Sequence, residues 1–282
     1  RGSVRLGLSR TGARWSARID NETPQGLVAL LRECAVVCFE PGSHSLISGP
    51  SEERRSYLDW GVFHVEPRYP EWSRRYRRAL QQRNALLKTD PDPAELASWT
   101  QELVAAAEPI AIARAAYFSA LQPKLRILSA ELIPELGDPI FRCRQGWDEG
   151  MPLGTAVERS LDLDRLRKYT ARGPHRADWS IQFQHAPARE QLSRGQEKLC
   201  AIVCMLAQAQ LFRDARGEWP IVLLDDLASE LDIAHQNAVL RMLLAQDAQV
   251  LMTGTEIPAG LRDTPAPIRR FHVEQGQVQP LV

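Results

Sequence analysis

The feature that most constrains this chain is the alternation of short apolar runs with helical segments in its C-terminal part. Apolar runs of strand length stand at 179–184, 220–224 and 249–252, and helical segments at 193–212 and 234–244. Such alternation is typical of helices packed on a largely parallel sheet. We therefore predict an α/β fold.

The N-terminal part adds strands to the same layer. The sequence predicts a hairpin pairing 4–8 with 15–19 around a turn at 9–12, a helix at 25–32 and a buried strand at 35–39. A second hairpin, at 269–278, closes the chain around Gln275-Gly276.

Between residues 52 and 132 the apolar period is helical, which predicts a helical segment inserted into the α/β layer. Prolines punctuate this segment, so we expect several helices in place of one long rod. The prolines are Pro91, Pro93, Pro109, Pro123 and Pro134. The predicted organisation is an α/β head built from 1–48 and 165–282, with a helical arm domain at 49–164 between its two parts.

The overall charge does not indicate a partner, because 35 basic and 35 acidic residues balance to a net charge of zero. Attraction to nucleic acid or to anionic lipid therefore requires a local patch. A hydrophobic content of 44% excludes a disordered chain. No run reaches the roughly 18 apolar residues of a membrane span, and no signal segment opens the chain. We expect a soluble, cytoplasmic protein with no membrane partner.

The number of cysteines is five, and an odd number does not suggest a disulfide framework. The pairs Cys34/Cys38 and Cys200/Cys204 are each spaced by four and could form two halves of a zinc site. The second pair lies in an apolar helical segment, so buried thiols without a ligand are the preferred interpretation.

Two carboxylates, Asp225 and Asp226, directly follow the apolar run at 220–224. The carboxyl edge of a parallel sheet is where α/β folds bind ligands. Two acids there can hold hydrated Mg²⁺ and orient an attacking water in phosphoryl transfer. A strand-to-helix turn with two solvated acids explains the same residues equally well.

A candidate anion site lies at the start of the helical segment 193–212. The hydroxyl of Ser193 and the free N–H groups of the first turn, including that of Gly195, can bind a phosphate, and the helix dipole favours negative charge there. Ser193 and Gln196 also have the spacing of a capping box, which needs no ligand. These residues alone leave both interpretations open.

In combination these segments resemble a known group of proteins. Residues 192–196 (Leu-Ser-Arg-Gly-Gln), the strand ending in Asp225-Asp226, and residues 229–232 (Ser-Glu-Leu-Asp) resemble the signature motif, Walker B strand and D-loop of ABC-type ATPases, in order and spacing. Segments 54–64, 83–87 and 172–178 resemble more closely the RecF family, bacterial DNA-repair ATPases related to the SMC proteins. The resemblance runs along essentially the whole chain and implies an ABC-type head with an inserted helical arm.

Two departures from the family pattern affect the nucleotide site. The chain has no G-x-x-x-x-G-K-[ST] loop, whose amides and lysine cradle the phosphates, and none of its four lysines follows a glycine. The hairpin at 4–19 resembles the part of the family that follows this loop, so we expect the head to be incomplete at its N-terminus. At the switch position, where many ABC ATPases carry a histidine, Thr253 and Thr255 stand on either side of a glycine, and which of them contacts phosphate stays open.

The resemblance implies roles for these residues. Asp225 would coordinate Mg²⁺ through water, and Asp226 would polarise the water that attacks ATP. The other implied nucleotide-site residues belong to the signature motif, the dimer interface and the switch position. They are Ser193, Arg194, Gly195 and Gln196, then Ser229 and Asp232, then Thr253 and Thr255.

The resemblance also implies a homodimer closed by ATP, in which Ser193 and Gly195 contact the γ-phosphate held by the other subunit. The implied function is repair at gapped DNA, with RecO- and RecR-like partners that help to load RecA. Without a phosphate-binding loop, the chain is expected not to hydrolyse ATP alone.

Binding to DNA without sequence preference requires a basic surface, and residues 68–88 offer one. Seven cations in this segment stand against one acid, Glu71. The cations are Arg68, Arg74, Arg75, Arg77, Arg78, Arg83 and Lys88. A solvated helix face with some paired arginines is the alternative interpretation.

Two other classes of protein share parts of this pattern. A non-enzymatic DNA-binding scaffold with a decayed ABC-type head would explain the missing loop and the threonines at the switch position. It would not explain why both the signature-like segment and the pair of acids are retained. An ABC transporter subunit is disfavoured by the arginine-rich arm.

Overall fold

The computed structural model describes residues 4–12, 14–20, 22–23, 27–89, 92–188, 191–262 and 264–281. Nine strands and ten α-helices lie in these ranges. The strands are β1 (Leu6–Thr11), β2 (Arg14–Ile19), β3 (Val36–Phe39), β4 (Pro139–Arg144), β5 (Asp178–Phe183), β6 (Ile221–Leu224), β7 (Val250–Met252), β8 (Arg270–Glu274) and β9 (Gln277–Leu281). The helices are α1 (Leu27–Glu33), α2 (Ser45–Ser48), α3 (Ser51–Val65), α4 (Tyr69–Leu86), α5 (Pro93–Leu132), α6 (Leu153–Arg159), α7 (Leu161–Arg167), α8 (Arg194–Arg216), α9 (Leu227–Glu230) and α10 (Ile233–Leu244).

A three-stranded parallel sheet carries Asp225 and Asp226 at its carboxyl edge. Its order is β3-β6-β7, with β6 in the centre. Alternate residues of the two longer strands, Val37 and Phe39 in β3 and Val222 and Leu224 in β6, are buried in the core that α8 shares. The predicted parallel layer is confirmed for these three strands.

The strand predicted at 179–184 forms as β5 but does not join the parallel sheet. It pairs antiparallel with β4, so its predicted place in a parallel layer is wrong. Trp179, Ile181 and Phe183 are buried, and they alternate with polar residues that are more exposed. This alternation is typical of an antiparallel strand with one covered face, whereas β6 is apolar throughout.

Both predicted hairpins form, as β1-β2 and β8-β9. The turn of the first lies later than predicted, because residues 9–11 still pair with β2. The predicted helix at 25–32 begins at Leu27 in the structure, and residues 25 and 26 lie outside the described part of the chain.

The helical segment consists mainly of α3, α4 and α5, and two of its prolines do not end a helix. Helix α5 runs for 40 residues through Pro109 and Pro123, so the prediction that both prolines divide it is wrong. Each proline frees the carbonyl four residues earlier, in Ala105 and Ser119. Both of these residues are exposed, so water can satisfy the freed carbonyls. Pro93 instead opens α5, where Asp92 accepts a hydrogen bond from the N–H of Ala94 at 2.9 Å.

Helix α5 packs against α4 and α8 and supplies much of the core, including the fully buried Leu103, Leu121 and Leu125. Contrary to the sequence-based expectation, it is long and apolar enough to cross a membrane by length and composition, with a mean hydropathy of 1.2 over one window. One third of that window is buried inside the fold, and core helices meet the same criterion. The division into a head and an arm at 49–164 stays a prediction, since one apolar core joins α5 to the parallel sheet.

All five cysteines are free. Cys200 and Cys204 are buried in α8, as predicted. Cys38 is exposed, so its predicted burial is wrong, because it lies on the face of β3 opposite Val37 and Phe39. Within the described residues, no group of three or more His, Cys, Asp or Glu side chains is arranged to hold a metal ion.

Candidate nucleotide site and basic helix face

The carboxyl ends of the three parallel strands meet at Asp225. Its N–H donates to the carbonyl of Phe39 at the end of β3 over 2.8 Å. The N–H of Thr253, which follows β7, donates to the carbonyl of Leu224 over 3.0 Å. The Thr253 hydroxyl in turn donates to Asp225 Oδ1. The sheet therefore places Thr253, and not Thr255, directly against the first carboxylate.

The second carboxylate is turned away from the strand direction. Asp226 has a φ of 51°, in the left-handed region, which aspartate tolerates better than most residues. Its N–H donates to Thr253 Oγ1 over 3.3 Å, and the Ser229 hydroxyl donates to its Oδ2 over 2.6 Å. Two aspartates and two hydroxyl residues thus form one connected cluster at this edge.

Ser193 and Gln196 form the capping box at the start of α8. The Gln196 N–H donates to Ser193 Oγ over 3.3 Å, and Gln196 Oε1 accepts from the Ser193 N–H over 2.9 Å. This box uses a lone pair of the serine hydroxyl and leaves its proton available to an anion. Arg194 and Gly195 are also exposed, so capping and phosphate binding do not exclude each other here.

An ion pair links the start of α8 to the segment after the aspartates. Lys198 Nζ lies 2.8 Å from Glu230 Oε2, where α9 ends. Just beyond, Asp232 caps α10 by accepting from the N–H of His235 over 3.0 Å. The hydrogen bonds from His235 lower the pKa of Asp232. The predicted interface residue Asp232 therefore also has a local structural role.

The side chains at the sheet edge suit a magnesium ion most of whose ligands are water and phosphate oxygens. Asp225 and Asp226 supply hard carboxylate oxygens, which Mg²⁺ prefers. With two such residues at the edge, most of the octahedral positions have to be filled by water and phosphate oxygens. The residues fit ATP-bound Mg²⁺, whereas the loop that would cradle the phosphates is missing from the 282 residues.

Most of the predicted basic face lies exposed on and beside α4. Arg68, Arg74, Arg77, Arg78 and Lys88 are exposed. The guanidinium groups of two of them lie over indole rings: Arg68 over Trp72 at 5.3 Å and Arg78 over Trp99 at 5.8 Å from the ring centroids.

Two arginines of the predicted set already have carboxylate partners. Arg75 binds Glu102 through two hydrogen bonds of 2.9 and 3.0 Å at the surface. Arg83 is fully buried and pairs with Asp164 Oδ2 over 2.8 Å. Assigning Arg83 to the DNA-contacting surface is therefore wrong.

Two of the three segments that carried the closer family resemblance, 54–64 and 172–178, meet at a polar junction. Arg54 binds Asp178 through two hydrogen bonds, the shorter of 2.7 Å, and Arg114 binds Asp59 with a shortest distance of 2.7 Å. The Arg114 guanidinium also donates to the carbonyl of Pro174 over 2.8 Å. Arg54, Asp59 and Asp178 lie in the segments that resemble the family, but Arg114 does not. No pattern in the sequence indicates the role of Arg114, because its partners Asp59 and Pro174 lie 55 and 60 residues away.

His175 has a structural role at the same junction. Its Nε2 lies 2.9 Å from the carbonyl of Thr170, which can only accept, so this nitrogen donates. Its Nδ1 accepts from the hydroxyl of Tyr76 over 2.6 Å. Burial, reinforced by the nearby Arg176, lowers the pKa of His175 to about 4 and keeps the ring neutral.

Comparison with curated proteins shows the family. Over 275 residues the chain is 48% identical to the DNA replication and repair protein RecF of Stenotrophomonas maltophilia, covering 97% of this chain and 75% of the relative. It is 38% identical over 279 residues to the protein of the same name from Pseudomonas paraeruginosa, again covering 97% and 75%. The chain belongs to the RecF family. The expected membership is thereby confirmed, although no model of a protein family matches the chain.

The RecF fold is also found among solved structures. Structures of the recombination mediator protein RecF in the RecFOR pathway, with ATPrS and with ATP, align with TM-scores of 0.84 and 0.83. The alignments cover 99% and 95% of this chain and 76% and 73% of those chains, at 22% identity. The predicted fold class, an α/β ATPase-type head with an inserted helical segment, is confirmed.

Proposed function

We propose that this RecF-family chain acts in DNA repair by binding DNA under the control of ATP. The observation that carries the proposal is the cluster at the sheet edge, where Thr253 and Ser229 hold Asp225 and Asp226 at the carboxyl ends of parallel strands. Relatives named for DNA replication and repair, and solved RecF structures with ATP, support the same function.

In this proposal Asp225 holds Mg²⁺ through water, and Asp226 polarises the attacking water. Bound Mg²⁺ would neutralise the developing charge on the phosphates. Thr253 orients the Asp225 carboxylate through its hydroxyl. Ser193 and Gly195, exposed at the positive end of α8, contact the γ-phosphate of ATP in a second copy, so that nucleotide and dimerisation are linked.

The exposed arginines of α4 contact DNA phosphates without reading bases. Arg74, Arg77 and Arg78 project from one helix, and Arg68 and Lys88 extend the face at its two ends. Such a face favours duplexes, gaps and single-strand/duplex junctions by backbone charge alone. In the proposed pathway RecO- and RecR-like partners then support RecA loading in the cytoplasm.

The test is DNA binding by fluorescence anisotropy across a salt series, with and without ATP and Mg²⁺. It uses this chain and the same chain extended by a phosphate-binding loop. The extended chain is expected to bind gapped DNA more tightly with ATP, and Asp225→Ala should remove that gain. Asp247→Ala, an exposed aspartate away from the sheet edge, is the matched control and should retain it.

Two outcomes would count against the proposal. Equal DNA binding with and without ATP by both chains would favour a scaffold with a decayed head. Magnesium-dependent ATP hydrolysis by the unextended chain, abolished by Asp225→Ala, would show that hydrolysis does not need the phosphate-binding loop.

A further inference from the structure

A cavity of about 500 Å³ opens at the polar junction, between α3, α5, β4 and the loops that follow β4 and precede β5. Its walls are largely apolar and include Leu58, Ala115, Met151, Leu153 and the ring of Trp147. None of its lining residues belongs to the sheet-edge cluster or to the basic face of α4. The volume is that of a small ligand or of two to three amino-acid residues.

One arginine in this cavity lacks a carboxylate partner among the described residues. The Arg55 guanidinium donates through Nη1 to Ser51 Oγ over 2.7 Å and to the carbonyl of Ala177 over 2.9 Å. Both acceptors are neutral, and its Nε and Nη2 have no hydrogen bond within the described parts of the chain. Half-buried in an apolar wall, Arg55 therefore retains free donors and a charge that no carboxylate meets through a hydrogen bond within the described residues.

The other charges of the inner wall are already paired. Arg114 uses Nε and both Nη atoms on Asp59 and the carbonyl of Pro174. Asp178 accepts from Arg54 through both of its oxygens. Burial and the neighbouring Arg114 lower the pKa of Arg55, whereas Asp178, Glu52 and Asp59 raise it by a smaller amount. An anion entering this cavity would be bound by Arg55.

The rim favours one carboxylate over a chain of phosphates. Glu108 is exposed at the rim, and Asp148 and Glu149 are exposed in the loop between the lining residues Trp147 and Gly150. Asp148 lies 3.8 Å from Arg172, and the exposed Arg144 also lines the cavity, so the rim carries charges of both signs. Glu108 and Glu149 disfavour a chain of phosphates more than a single carboxylate, because the repulsion adds over every negative charge of the ligand.

One exposed apolar side chain extends the apolar surface beyond the mouth of the cavity. Ile112 lines the cavity from α5 and is 71% exposed. An exposed side chain of this size next to an apolar cavity extends the surface on which a partner can pack. The cavity therefore combines the free donors of Arg55 with an apolar wall that Ile112 extends. Such a site suits a ligand that carries an acidic group next to an apolar group.

We propose that this cavity binds a segment of a partner protein in which an acidic side chain stands next to a large apolar side chain. The carboxylate forms a charge-assisted pair with Nε and Nη2 of Arg55. The apolar side chain packs against Leu153 and Met151, and the chain continues over Ile112. The site is independent of ATP and of the proposed DNA-binding face.

The test uses a tripeptide, leucine–aspartate–phenylalanine, acetylated and amidated at its ends, against its asparagine counterpart. Binding is followed by the indole N–H signal of Trp147 in a ¹⁵N NMR titration, assigned with Trp147→Phe. The aspartate peptide is expected to bind at least about tenfold more tightly, the usual contribution of a charge-assisted hydrogen bond. Arg55→Gln should remove this preference, and Ile112→Glu should weaken both peptides.

Two matched controls separate binding from folding. Ile127 lies on the same helix, is 66% exposed and does not line the cavity, so Ile127→Glu should bind like the wild type. Arg126→Gln removes an arginine whose guanidinium donates to the carbonyl of Pro139, also outside the cavity, and should retain the preference. Circular dichroism confirms that each variant is folded, and Ile112→Glu keeps the test decisive if Arg55→Gln does not fold.

Three results would overturn the proposal: equal binding of the two peptides, no shift of the Trp147 signal by either peptide, or retention of the preference in Arg55→Gln. Binding of the same tripeptide only when it ends in a free carboxylate would assign the cavity to a chain terminus and overturn it as well. A shift caused by a short single-stranded oligonucleotide but by neither peptide would assign the cavity to nucleic acid.

Discussion

The guanidinium of Arg83 donates to Asp164 Oδ2 over 2.8 Å, and neither side chain is exposed to solvent. The same nitrogen donates to Thr170 Oγ1 over 2.7 Å, and Nε donates to Thr100 Oγ1 over 3.0 Å. Helix α4 is thereby fixed to α7 and to the segment that leads to β5. Removing either partner leaves a buried charge without compensation.

Arg83→Ala is expected to lower the free energy of unfolding by about 3–5 kcal/mol, the usual cost of breaking a buried ion pair from one side. Arg75→Ala, which breaks the exposed pair with Glu102, is the control and should cost no more than about 1 kcal/mol. Urea unfolding followed by circular dichroism measures both. Equal losses would show that the buried pair does not stabilise the fold more than the exposed one.

The neutral state of His175 makes stability depend on pH. In the unfolded chain this ring is protonated near its ordinary pKa of 6.5, whereas in the folded protein it stays neutral until about pH 4. This ring therefore does not affect the free energy of unfolding above pH 6.5. Between pH 6.5 and 4 it lowers that free energy by about 1.4 kcal/mol per pH unit. In His175→Gln the free energy of unfolding should vary less over this range. His272→Gln, which removes a 57% exposed histidine, is the control, and the same flattening in both variants would contradict the assignment.

Gly61 lies where α3 meets α5, and a methyl group there would overlap the ring of Tyr117. Gly61→Ala is therefore expected to destabilise the fold by about 1–3 kcal/mol, although alanine is the better helix former. At Gly195 the nearest atom to an added methyl group is Ser193 Oγ at 4.0 Å, so Gly195→Ala should be neutral or stabilising by up to about 1 kcal/mol. Thermal unfolding compares them, and a stable Gly61→Ala protein would show that the two helices can separate at low cost.

The basic face of α4 predicts a defined salt dependence of DNA binding. Replacing Arg74 and Arg77 together by alanine should weaken binding for every sequence and reduce the slope of log affinity against log salt by about 2. Anisotropy titrations at several salt concentrations measure this slope. Arg142→Ala, at an exposed arginine on β4, should keep the wild-type slope. An unchanged slope in the double variant would place the DNA contacts elsewhere.

Local chemistry made the segments of the candidate nucleotide site predictable. A continuous apolar run followed by two acids indicated β6 and its carboxyl edge, and the spacing of Ser193 and Gln196 indicated the capping box. The hydroxyl of Thr253 could not be placed against Asp225 from sequence, because their contact depends on how β7 pairs with β6.

The helical spacing of the sequence indicates that Arg83 is buried, whereas the number of cations in residues 68–88 favours an exposed position. Arg83 follows Tyr76 by seven residues and Ala79 by four, so all three lie on one helix face, and all are buried. Its acceptor, Asp164, lies 81 residues away, so its compensation could not be read locally. The pairing of β5 with β4 was missed for a related reason, since strand partners are set by packing between distant segments.

The two prolines inside α5 stand 14 residues apart, which is close to four helical turns. They therefore project from the helix within about 40° of each other, on one side of the axis. A proline bends a helix away from its own side, so the two bends add together where prolines on opposite sides would cancel. Over its length of about 60 Å, the spacing of these two prolines therefore favours curvature of α5 in a single direction.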